Sequence, residues 1–139
     1  ETQPLGFGTF TAKNDTADTS TILIAPDGTN TVTNPGNARI VALTAGVQGI
    51  FDVTAAAPST SLTLTLPTGP ILLTCGACSG TNPKFSIGTF TSTPAVGSLT
   101  TDGSGNATIN VGATLTTVAG TEPYENGAYS NAYSVTVNY

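Results

Sequence analysis

From Ser61 to Pro67 the chain reads SLTLTLP, and this alternation restricts the available folds more than any other feature. Leu62, Leu64 and Leu66 fall on one side, Thr63 and Thr65 on the other. That is the period-2 pattern of a strand with one face in a core and one in water. The pattern recurs along the chain. In LGFGTFTA, Leu5 and Phe7 alternate with Gly6 and Gly8. In KFSIGTFT, from Lys84 to Thr91, Phe85 and Ile87 share a side. From Asn106 to Thr117, Ile109, Val111, Ala113 and Leu115 point inward against Asn110, Gly112 and Thr114. At the end, Tyr133, Val135, Val137 and Tyr139 alternate with Ser134, Thr136 and Asn138.

Shorter β-branched runs lie between these, at TILIA, RIVALT (Arg39 to Thr44) and GIFDVT (Gly49 to Thr54). The continuous apolar run PILLTC, from Pro70 to Cys75, predicts a strand buried on both faces or leading into a covered edge. Turn residues separate the runs at Asp27-Gly28, Asn34-Pro35-Gly36, Pro67-Thr68-Gly69-Pro70 and Asp102-Gly103-Ser104-Gly105-Asn106. No window carries apolar residues at helical spacing among good helix formers. About eight to ten short strands at this spacing predict one all-β domain over residues 1–139, an antiparallel β-sandwich.

Composition narrows the function classes. Only 8% of residues are charged and the net charge is −5. A low apolar fraction with high charge would point to disorder, but this chain is weakly charged and dense in Thr, Val and Ile, so it folds. Its cations are Lys13, Arg39 and Lys84, too few to neutralise a run of phosphates or to dock on an anionic bilayer. We therefore expect neither nucleic-acid binding nor membrane insertion, since no apolar run approaches the ~18 residues a spanning helix needs. The absence of His removes the His-based triad and His-ligated metals. The composition, with Glu1 at the start and no Met, predicts an exported chain whose leader has been removed.

Cys75 and Cys78 form a C-x-x-C motif. A zinc site would need further thiol or imidazole ligands that the chain lacks. A thioredoxin-type pair would need a helix N-terminus in a βαβ unit, whereas these flanks read as strand and turn. The reading we favour is a small disulfide formed in an oxidising compartment, of modest effect on stability because the loop it closes is short.

The acids Asp15, Asp18, Asp27, Asp52, Asp102, Glu122 and Glu125 sit mostly in turns, where carboxylates cap the backbone. They form no visible catalytic pair. Asp102 to Asn106 has the oxygen-rich look of a calcium loop but lacks its bidentate Glu, so a hairpin turn is expected there. GFGTF reads as a strand rather than a phosphate-cradling loop. The sequons Asn14-Asp15-Thr16 and Asn106-Ala107-Thr108 arise readily in a Thr-rich chain. No catalytic, cofactor or metal residues are assigned, and we expect no enzyme.

The ordered set LGFGTFTA, TILIAPDGT, RIVALTAGVQGIFDVT, LTLTLPTGPILLT, FSIGTFTSTP, LTTDGSGNATINVGATLTT and GAYSNAYSVTVNY resembles the bacterial pilin-like family known as domain of unknown function 4402, akin to the major subunits of archaic chaperone–usher pili. The resemblance covers nearly the whole chain. It is most specific at Gly105 to Thr117 and Tyr129 to Tyr139. It implies an incomplete immunoglobulin-like sandwich, exported through the periplasm to a cell-surface filament serving adhesion or biofilm. Its implied partners are other copies of itself in a homopolymer, a periplasmic chaperone and an outer-membrane usher. In such pilins a strand from the next subunit fills an apolar groove. The expected groove residues are Tyr133, Val135, Val137 and Tyr139, on a terminal strand with no successor. Only Glu1 to Pro4 precede Leu5, so no donor strand is expected from these residues. The alternative is a secreted or surface-displayed adhesive or carbohydrate-binding sandwich. Lacking Trp, it would have to use Tyr124 and Tyr129 as its platform.

Overall fold

A computed structural model describes residues 1–78, 85–121 and 123–139. Lys84 and Glu122, named above, lie outside the described residues. The described chain is all-β and antiparallel, as the alternation predicts. Its strands are β1 (Phe10–Lys13), β2 (Thr21–Ile24), β3 (Asn30–Thr33), β4 (Arg39–Ala42), β5 (Gly49–Val53), β6 (Ser61–Thr65) and β7 (Ile71–Leu72). They continue with β8 (Thr74–Cys75), β9 (Phe85–Thr93), β10 (Leu99–Thr100), β11 (Ala107–Thr117), β12 (Tyr129–Ser130) and β13 (Thr136–Asn138).

β11 organises the sandwich. One edge pairs with β9, while the other takes β5 along its first half and β2 along its second. With β3 beside β2 and β7 beside β9, these make the six-stranded layer. Ile109 and Val111 face Leu62 and Leu64 of β6 and Leu99 of β10. Farther along, Leu115 joins Ile22, Ile24, Ile40, Phe85 and Ile87 in a second cluster. One long alternating strand thus supplies both halves of the core, each buried side chain being worth roughly 1.5–3 kcal/mol. Leu62, Leu64, Phe85, Ile87, Ile109, Val111 and Leu115 are buried as their alternation predicts, whereas Leu66 is half-buried against the first cluster.

Four local expectations are corrected. Leu5 to Thr9 is not regular strand. Gln3 and Gly6 bridge to Ile50 and Val47, and β1 then pairs with β4, so residues 3–13 run antiparallel beside 39–50. The break falls at Gly8, whose φ of +70° interrupts the ladder and whose bare α-carbon lies against the carbonyls of Thr44 and Ala45.

The run PILLTC is not buried on both faces. Among the described strands β7 pairs with β9 alone at the sheet edge, leaving Leu72 49% exposed, and only Leu73 turns fully into the core. Asp102 to Asn106 forms a tight turn but not a hairpin, because β10 and β11 belong to different sheets. The Asp102 carboxylate accepts from the Ser104 and Asn106 amides, closing a corner between the layers. Finally, Tyr129 to Tyr139 is two short strands. Asn131 accepts from the Ala132 amide and donates to the Leu72 carbonyl, which ends β12 before β13 begins on β6.

Candidate functional site

The two ends of the chain form opposite walls of one groove of about 730 Å³. Residues 5–12 make the first wall and residues 124–131 the second. The floor is the core itself: Leu73, Phe85, Ile87 and Leu115, each no more than 5% exposed, and Tyr133 closes one side. The aromatic groups interlock. Phe10 and Tyr129 meet Phe85 edge-on at 5.2 and 4.8 Å, while Tyr124 stacks on it at 4.8 Å with an interplanar angle of 11°.

Each wall has a strand with an unused edge. Among the described strands, β1 pairs only with β4 and β12 only with β8. Backbone donors and acceptors on such edges need a partner, from water or from another strand. Among the described residues Glu125 is the sole carboxylate lining the groove, and no Lys or Arg lines it. The groove therefore has an apolar floor between walls of mixed character, and among the described residues no acid–base pair faces into it.

Burial pushes up the phenols of Tyr124, Tyr129 and Tyr133. Tyr133 reaches about 12, chiefly through burial and secondarily through the Glu1 carboxylate, to which its hydroxyl donates at 3.3 Å. Its ring stacks on Phe90 and meets Phe51 edge-on.

The residues expected from sequence are divided by the fold. Tyr133 lines the groove. Val135 and Val137 instead pack on the cluster around Leu64, with Val137 directly opposite Leu64 in the β13–β6 ladder. Tyr139 is 78% exposed, and its hydroxyl accepts from the Ala57 amide. Cys75 and Cys78 form the disulfide expected of them, and it lies behind the second wall. The groove residues not foreseen as such are Leu5, Phe7 and Phe10 on one side and Tyr124 and Tyr129 on the other. Leu5 and Phe7 were legible as an alternating pair, but nothing local indicated that they face the far end of the chain.

The turn acids do what turn acids do. Asp15 accepts from the Ala17 and Asp18 amides and Asp27 from the Thr29 amide, and these bonds hold their carboxyls below the usual range. Among the described residues no group of acids and cysteines is placed to hold a metal ion.

A family model described as Domain of unknown function (DUF4402) matches residues 1–139. The chain belongs to that family. No curated protein and no solved structure matches this DUF4402 chain.

Proposed function

We propose that this DUF4402 chain is a structural subunit of an extracellular bacterial filament, joined to its neighbours by β-strand addition. One observation carries the reading: a groove floored by the apolar core lies between two strands that, among the described residues, each pair along one edge only. A strand entering it would satisfy backbone groups and cover the half-buried side chains of Leu5, Phe7, Phe10, Tyr124 and Tyr129 in the same step. The occupant we propose is an alternating apolar strand from another copy. The likeness to archaic chaperone–usher pilus subunits extends the proposal to a periplasmic chaperone, an outer-membrane usher, and a role in adhesion or biofilm. The small disulfide agrees with an oxidising compartment.

The alternative, a sugar-binding sandwich, would use Tyr124 and Tyr129 as an open platform. Both rings are engaged with Phe85 instead.

Electron microscopy of material sheared from the producing cells tests the reading, with thin homopolymeric filaments expected. Phe7→Asp places an unpaired charge in the groove wall, where Phe7 also packs on the core, and should stop polymerisation in chain whose β11 amides remain protected from exchange. Only monodisperse monomers from the unaltered chain, or undiminished filaments from Phe7→Asp, would overturn it.

A further inference from the structure

We infer that the Cys75–Cys78 disulfide is a brace for the second groove wall, and that its reduction by a dithiol loosens residues 124–131 while the sandwich stays folded. The consequence for strand acceptance rests on the function proposed above; the brace itself does not.

The wall's other holds lie toward its two ends: Tyr124 donates to the Val118 carbonyl, while Asn131 donates to the Leu72 carbonyl and Thr74 to that of Ser130. Beyond Tyr124 and Tyr129, which reach Phe85, it consists largely of exposed residues, and among the described residues its ladder is the two-residue pairing of Tyr129 with Cys75 and Ser130 with Thr74. So short a ladder is marginal alone. The disulfide meets the wall at its middle, at Gly127 and Tyr129. A methyl built on Gly127 would come 2.5 Å from Cys75 Sγ and 3.1 Å from Cys78 Sγ, so the wall's backbone rests directly on both sulfurs. The Tyr129 hydroxyl, which donates to the Glu125 carbonyl at 3.0 Å, lies 3.7 Å from Cys78 Sγ.

A disulfide between cysteines three positions apart closes too small a loop to restrain the unfolded chain much, so its effect is local. On reduction, a dithiol donates two electrons and two protons. The S–S bond is replaced by two S–H groups, and the reductant closes to its own disulfide. Two unbonded sulfurs occupy more space than two bonded ones. The freed thiols no longer hold a fixed position, and the joint contact of both sulfurs with Gly127 is lost.

Hydrogen exchange on the whole chain tests the brace, comparing the oxidised form with chain held in dithiothreitol and with Cys75→Ser/Cys78→Ser. Amides of residues 124–131 should exchange roughly tenfold faster or more without the disulfide, while those of β11 keep their protection. Gly127→Ala, with the disulfide intact, should reproduce part of that loosening. Equal protection of 124–131 in all forms would overturn the inference. So would loss of β11 protection in the reduced chain, which would make the disulfide a staple of the whole fold. Filament assays then separate the two proposals. Filaments from the oxidised chain but not the reduced one support the link between brace and assembly, and equal filaments from both overturn that link alone. No filaments from either defeats the filament reading and leaves the exchange result to decide the brace.

Discussion

The Tyr133 hydroxyl occupies the space above Gly49, where a methyl would lie 2.6 Å from the phenol oxygen. Gly49 is buried in β5, and Tyr133 is wedged between Phe90 and Phe51, so neither side has room to yield. Gly49→Ala should destabilise the fold by about 1–3 kcal/mol, as overpacking does. In a Tyr133→Phe background the penalty should shrink, and urea denaturation of the four chains of that cycle measures the coupling.

Leu64 is 1% exposed and faces Val137 across the β6–β13 ladder. Leu64→Ala should destabilise by about 2–5 kcal/mol in chemical denaturation. Because Val137 shares that cluster, Val137→Asp should lower stability as well, instead of acting selectively on assembly. A Val137→Asp chain with an unchanged denaturation midpoint would contradict this placement.

Ser20 is fully buried, and among the described residues its Oγ has no hydrogen-bond partner. Its backbone is well satisfied, with the amide donating to Thr117 Oγ1 and the carbonyl accepting from the Thr117 amide. Ser20→Ala keeps both bonds and removes an unpaired hydroxyl whose burial costs about 1–3 kcal/mol. The variant should melt at the same temperature or higher in calorimetry.

Asp52 accepts from the Thr2 and Thr108 hydroxyls, at 2.6 and 2.8 Å, clasping the start of the chain to β11. These bonds, Thr2's first, hold its carboxyl below the ordinary value of 3.8. A carboxyl depressed on folding contributes stability above its unfolded pKa and loses it as pH falls through the folded one. Below about pH 4 the amides of residues 2 and 3 should therefore exchange faster. In Asp52→Asn they should exchange fast at neutral pH too, with the acid step gone.

Tyr133 responds at the other end of the scale. Its phenol is raised from 10.0 to about 12, so the folded chain holds that proton more tightly than the unfolded one. Stability should be unaffected by this group below pH 10 and fall between 10 and about 12. Tyr133→Phe should remove its part of that alkaline loss, as followed by denaturation across the range.

The alternation of Leu62, Leu64, Ile109, Val111 and Leu115 was enough to place the core, because a strand's period of two assigns every side chain to a face before any partner is known. The Cys75–Cys78 pairing was equally local, since the two thiols are never far apart in the chain. The groove was a different matter. It exists because Leu5 to Ala12 and Tyr124 to Asn131, at opposite ends of the sequence, come to face each other across Phe85. Which wall each belongs to is decided by long-range pairing with residues 39–50 and with β8. The same holds for Val135 and Val137, whose alternation marks an inward face without saying inward to what. Periodicity fixes the side on which a residue lies; only the packing of distant strands decides whether that side meets its own core or an open groove.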